Sequence, residues 1–325
     1  MSIALQVALV MVTILVVLLV IGAPIGVAIG MSSAVSMICM IPADVSFATS
    51  AQRIFAGSNS FSLIAIPFFI LAGNIMNNGG IAQRLVNCAK VISGRMPGAL
   101  AQSNVVANML FGAISGSGAA AAAAMGGTIG PLEEKEGYDK NYSTAVNVAS
   151  APVGMLIPPS NTMIVYSSVA GSVSIAALFM AGYIPGILWG LACMVVIYIY
   201  AKKRGYTSSK RYALKEKTKI ILEALPCLLM IIIVIGGIIG GIFTATEGAV
   251  VAVVYSLILS LVFYKSIKVS ELPKLLMDSA EMTGIIIFLI GVSSIMSWVM
   301  AFTGIPAAIS GVMLGISSNK YVILL

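Results

Sequence analysis

Apolar runs and short polar interruptions alternate along the whole chain. A helix needs about 20 mostly apolar residues, at about 1.5 Å rise each, to cross a bilayer, and several runs approach that length. The first covers residues 3–21 and the second 25–41, parted at Gly22-Ala23-Pro24. A loop carrying Asp44 and Arg53 leads to a third, residues 61–76, which ends at Asn77-Asn78-Gly79-Gly80. Residues 81–96 keep apolar positions at helical spacing but carry Arg84, Lys90 and Arg95, the pattern of a helix lying in the interface plane. Later spans are predicted at 175–200, 224–241, 249–264 and 285–302, with a hinge at 242–248 and a second amphipathic connector at 265–281.

Two stretches do not fit a plain span. Residues 97–132 are apolar enough for the membrane, yet Ser115-Gly-Ser-Gly118 falls at their midpoint. Each half is short for crossing alone, so the pattern predicts a re-entrant helical hairpin with its tip at the glycines. The charged turn 133–140 then returns the chain to the same side. Residues 142–169 form an apolar element broken by Pro152, Gly154, Pro158 and Pro159, followed by the polar triplet Ser160-Asn161-Thr162. Lipid offers no partner for an unpaired backbone group, so such a break survives only where it lines a protein-enclosed or watery cavity. Broken helices of this kind mark ion and substrate sites in secondary transporters.

Composition agrees with membrane residence. Of 325 residues, 59% are hydrophobic and 9% charged, against about 25% charged in a soluble domain, and mean hydropathy is +1.07. The net charge of +7 does not point to nucleic acid, because the basic residues sit in short loops between spans. Residues 202–219 hold eight Lys or Arg and one acid, Glu216, which places that loop in the cytoplasm and, by counting back, the N-terminus outside. The N-terminal run has no basic leader and is expected to be retained. The four cysteines are scattered, without metal or disulfide spacing. The absence of histidine removes imidazole relays, His-based zinc sites and His-based triads, and leaves Ser115 or Ser117 without an activating base. The chain is therefore not expected to be an enzyme or to hold a cofactor.

The remaining chemistry is that of oxygen ligands and helix ends. Proline cannot donate a main-chain bond, so Pro152, Pro158 and Pro159 free carbonyls four residues earlier, including that of Val148. Those carbonyls, with Asn147 and Ser150, suit a hard cation. Ser115, Gly116 and Ser117 can expose carbonyls and amides at the hairpin tip, where glycine permits unusual dihedrals; the alternative is a small-residue packing notch. Asn104 and Asn108 share one helix face and either complete such a shell or bond between helices. Ser160 reads as an N-cap, leaving Asn161 and Thr162 at a half-helix terminus suited to a carboxylate. Glu247 sits in a surface hinge and reads as a cap. Trp189 and Trp298 read as packing or interface aromatics.

A repeat is also visible. Met76 to Ile81 resembles Met300 to Ile305 at an offset of 224, and Ala23 to Val27 faces Ala245 to Ala249 at 222. The copies start on opposite sides, which is inverted topology. The repeat calls for a hairpin partner near 321–356, whereas the sequence stops at Leu325 in a new apolar run; roughly a hundred further residues are expected on this pattern. Four segments follow: first-repeat scaffold and interfacial arm helix (1–96), transport element with hairpin and broken helix (97–169), connecting span and basic loop (170–222), and second-repeat scaffold with its arm helix and the start of a second transport element (223–325).

Ala65-Ile-Pro-Phe-Phe-Ile-Leu-Ala-Gly-Asn-Ile-Met76, Ser115-Gly-Ser-Gly118, Ile157-Pro-Pro-Ser-Asn-Thr162 and Phe179-Met-Ala-Gly-Tyr-Ile-Pro185, in this order, resemble the large, DctM-like membrane subunit of tripartite ATP-independent periplasmic (TRAP) transporters. The resemblance implies an all-α, elevator-type, sodium-driven importer in the bacterial inner membrane. It implies a small four-helix membrane subunit and a periplasmic binding protein as partners, and sodium between hairpin and break. The implied substrate is a carboxylate such as a C4-dicarboxylate or sialic acid; the 157–166 region favours sialic acid as a first choice. A stand-alone sodium/carboxylate elevator carrier is the competing reading.

Overall fold

The computed structural model describes residues 3–171, 173–206, 213–317, 319, 322 and 323. Among these the chain is helical with no strand, the all-α polytopic class that the apolar runs predict. In order, the helices are α1 (Ile3–Val20), α2 (Ile25–Ile38), α3 (Ala43–Ser58), α4 (Ala65–Asn78), α5 (Ile81–Ser93), α6 (Ala99–Ser115), α7 (Gly118–Thr128) and α8 (Gly130–Lys135). There follow α9 (Lys140–Ser150), α10 (Val153–Leu156), α11 (Asn161–Ala170), α12 (Ile175–Arg204), α13 (Leu214–Ile239), α14 (Ala245–Ile258), α15 (Leu272–Thr303) and α16 (Ile305–Ile316). Five stretches among the described residues are long and apolar enough to cross a membrane: Phe61–Asn78, Ile175–Arg204, Leu214–Ile239, Ala245–Phe263 and Val269–Thr303. A sixth exists if Lys140–Leu156 and Asn161–Ala170, bent by 48°, are one broken span.

Packing divides the chain into two compact units, Met1–Phe61 with Met282–Leu325, and Ser62–Glu281. In the first, α2 packs on α1 and α3. Val7, Met11, Met37, Ile295 and Val299 form its buried cluster. In the second, α4 packs on α14, α5 lies between α6 and α13, and α6 also touches α7, α9, α10 and α12. The hairpin helix α6 is thus central, and it carries Leu100, Ala101 and Val105 into a core with Tyr138, Val146 and Ile197.

Three expectations change. Residues 43–58 are the helix α3, not a loop: Pro42 sets its start, and Phe47, Ile54 and Phe55 recur at helical spacing among its polar residues. Residues 265–281 are not a separate connector. From Leu272 the helix α15 runs unbroken into the span, because no proline follows Pro273 before the helix ends at Thr303, and the isolated glycines Gly284 and Gly291 do not stop a helix. Arg84 is held by protein: its guanidinium carbon lies 3.6 Å from the centre of the Tyr264 ring and it donates to the Gly80 carbonyl at 2.9 Å. Of the basic loop 202–219, residues 207–212, with Lys210 and Arg211, lie outside the described residues.

The repeat pairing has a local counterpart. Gly80 (φ 70°) and Gly304 (φ 71°) take the same left-handed conformation, and each precedes a helix that begins on isoleucine.

Candidate functional site

The break at Ser115–Gly118 is a helix–turn–helix. Gly116 ends α6 at φ 62°, and its N–H donates to the Gly112 carbonyl at 2.8 Å. Ser117 then caps α7, its Oγ accepting the Ala120 N–H at 3.3 Å. Ser115 is buried, and its Oγ lies 3.4 Å from both the N–H and the carbonyl of Ser117.

The second break is built from prolines and one serine. Pro152 has no N–H to return to the Val148 carbonyl, and Pro159 none for that of Met155. The Met155 carbonyl is instead satisfied by Ser160, whose Oγ donates to it at 2.6 Å. The same Oγ accepts the Met163 N–H at 3.4 Å, which makes Ser160 the N-cap of α11, as the sequence predicts. The Ala149 carbonyl accepts a bond from Trp189 Nε1 at 2.9 Å.

Glycines bring the two breaks into contact. A Cβ on Gly116 would stand 3.0 Å from both the Pro159 carbonyl and the Asn161 nitrogen. One on Gly118 would stand 3.1 Å from the Ala151 carbonyl, and one on Gly154 would stand 2.6 Å from Gly112 Cα. The C-terminus of α6 and the N-termini of α7 and α11 therefore meet at one place. Helix N-termini favour an anion and a C-terminus a cation. The Asn161 Oδ1 at this junction is buried and has no partner, while Thr162 is exposed.

Asn108 lies seven residues before Ser115, about 10 Å lower along the helix, and organises a second group. Its Nδ2 reaches Asn104 Oδ1 at 3.0 Å, Asn147 Oδ1 at 3.1 Å, the Asn147 carbonyl at 3.5 Å and Ser150 Oγ at 2.8 Å. Ser150 Oγ donates in turn to Val146 at 2.7 Å, and Asn147 Nδ2 to the Ala122 carbonyl of α7 at 2.8 Å. Four oxygens thus surround one amide, an oxygen-rich setting compatible with a hard monovalent cation. The Val148 side chain is exposed, so only its carbonyl is available to such a shell. The named residues fall into two groups on the same helices: Ser115, Gly116, Ser117 and the 154–161 break at the tip, and Asn108, Asn147 and Ser150 below it.

Two participants were not singled out from the sequence. Trp189 reads as a packing aromatic, but its indole N–H holds a carbonyl beside the break. Glu133 reads as part of a charged turn, yet it is fully buried, with neither carboxylate oxygen closing a hydrogen bond. Its neighbours Glu134 and Glu136 are exposed, so this turn is not uniformly solvated.

Residues 12–325 match the model of the family described as tripartite ATP-independent periplasmic transporter, DctM component. The chain is 50% identical over 294 residues to the uncharacterized protein YgiK of Salmonella typhimurium, covering 90% of this chain and 67% of that protein. It is 37% identical over 279 residues to the C4-dicarboxylate TRAP transporter large permease protein DctM of Pseudomonas aeruginosa (86% and 65%). Against the sialic acid TRAP transporter large permease protein SiaM of Vibrio cholerae it is 36% identical over 280 residues (85% and 64%). The chain thus spans about two thirds of the length of these curated relatives.

Proposed function

The chain belongs to the DctM component family of the TRAP transporters, multi-pass permeases of the bacterial inner membrane rather than enzymes, and from that premise we propose that it is the large permease subunit of a sodium-coupled importer of organic acids. A small membrane subunit and a periplasmic binding protein complete the system. The observation that carries this reading is the junction of hairpin tip and broken helix, above an oxygen-rich amide cluster. No Lys or Arg belongs to either group, so a carboxylate would be met by the N-termini of α7 and α11 and by sodium. Sodium, as a transported ion, would be held by Asn108, Asn147 and Ser150 or by the tip carbonyls of Ser115 and Gly116.

Inverted repeats and movement of the hairpin with the broken helix against a fixed scaffold make up the elevator part of this proposal. The similar identities to the dicarboxylate and sialic acid relatives favour neither substrate, so the proposal stops at a carboxylate-bearing organic acid, with sialic acid one member of that class. Its test is uptake into proteoliposomes by the full-length permease with its small subunit and binding protein. Uptake should require a sodium gradient, and Asn147→Ala or Ser115→Ala should raise the sodium concentration needed. Equal uptake with potassium in place of sodium would refute the coupling.

A further inference from the structure

Glu133 lies on α8 between the hairpin and the broken helix, outside the long apolar spans. It lines a cavity of about 260 Å³ with Asn104 of α6 and Ser143 and Asn147 of α9. Its side chain is wholly buried, and neither carboxylate oxygen closes a hydrogen bond of full geometry; Ser143 and Asn104 are the polar side chains that face it, and Ser143 Oγ and Asn104 Nδ2 likewise close no such bond elsewhere. An isolated buried carboxylate is strongly disfavoured unless a counter-charge neutralises it. The charged groups around it do not serve. Lys140 and Glu134 also line the cavity but at its exposed mouth, where they face each other at 3.6 Å; Lys90 of α5 interacts with Glu136, and α6 and α7 carry no charged residue at all. Tyr138 and Tyr142 are also near and carry no positive charge.

We propose that Glu133 heads a monovalent-cation site in this cavity, in which its two carboxylate oxygens and Ser143 Oγ coordinate a sodium ion. Buried, unpartnered oxygens from a carboxylate and a hydroxyl are the donor set of a hard cation, and the cavity has room for an ion with coordinating water. Burial pushes the Glu133 carboxyl up to about 7, with side-chain hydrogen bonds from Ser143 and Asn104 opposing the shift. The site is separate from the hairpin tip but not isolated from the amide cluster: Asn104 touches both, through its bond with Asn108. An ion at Glu133 would fix the orientation of Asn104 and, through it, the acceptors around Asn108.

The test is a count of bound sodium, made with radioactive sodium on the purified full-length protein in detergent at pH 8 with choline as the balancing cation. Transport plays no part in the readout. Glu133→Gln keeps the shape and removes the charge, and it should lower the count by one ion per chain. Ser143→Ala should keep the ion but weaken its binding several-fold, and Glu134→Gln at the exposed rim should leave the count unchanged. If the hairpin reading is wrong while this one is right, Ser115→Ala leaves the count intact and Glu133→Gln still lowers it. A sodium count unchanged in Glu133→Gln overturns the site and leaves a proton as the carboxylate's neutraliser.

Discussion

Gly154→Ala tests whether the broken helix and the hairpin touch backbone to backbone. The added Cβ would stand 2.6 Å from Gly112 Cα, whereas carbon atoms in contact rest at about 3.5–4.0 Å. Relief requires α10 and α6 to part by about 1 Å, because the obstacle is main chain and cannot rotate away. Overpacking of this kind costs ~1–3 kcal/mol, against ~0.5–1 kcal/mol that alanine gains over glycine in a helix. The net expectation is a loss of ~1–2 kcal/mol. Gly127→Ala in α7, where a Cβ would meet nothing within 4 Å, should show the opposite sign, with a gain of up to ~1 kcal/mol. The assay is reversible denaturation of both variants in mixed micelles, read from Trp189 fluorescence in a Trp298→Phe background. Sodium-dependent uptake should fall in Gly154→Ala and hold in Gly127→Ala. A Gly154→Ala protein as stable as its parent would show that the two segments do not press on each other.

Three further outcomes follow from particular contacts. Thr244 caps α14, accepting the Glu247 N–H at 3.2 Å while the Glu247 carboxylate accepts the Thr244 N–H at 2.7 Å; Thr244→Ala should cost about 1 kcal/mol in the same denaturation assay, and Thr244→Ser much less. Arg84→Lys should lose most of the stacking on Tyr264, ~0.5–2 kcal/mol, and a double-mutant cycle with Tyr264→Leu that shows no coupling would contradict the contact. Glu133 keeps its proton to about 7 when folded, against 4.5 as the ordinary value. The native state therefore holds more protons than the unfolded state between these values, so in sodium-free buffer stability is greatest below about pH 4.5 and falls as pH rises to about 7, by roughly 3 kcal/mol in all. Glu133→Gln should flatten that slope, and a wild-type profile already flat across the window would refute the burial.

Both breaks were legible because glycine and proline act locally. Ser115–Gly118 cannot continue a helix smoothly, and Pro152, Pro158 and Pro159 remove main-chain donors wherever they stand. The N-cap at Ser160 and the capping box at Thr244 and Glu247 are equally local. Gly112 carries no such signal. It is a single glycine in an apolar helix, and its role exists only because Gly154, legible as part of the break, faces it. Glu133 was hidden for a similar reason, since it stands beside Glu134, Lys135 and Glu136 and only tertiary packing separates it from them. The α3 helix was missed because its polar residues outnumber what a span tolerates, although its apolar positions recur at helical spacing.

The amide of Asn108 has two hydrogens but four oxygens in reach. Asn104 Oδ1 belongs to α6 itself and the other three to α9, so α6 can slide slightly against α9 by handing a bond from one α9 oxygen to the next. No donor is stranded on the way. Elsewhere in an apolar interior, shifting one helix against another would strand a polar group and meet a barrier. Here the surplus of acceptors makes the contact behave like a greased joint, strong enough to hold the two helices together yet nearly indifferent to small changes of register.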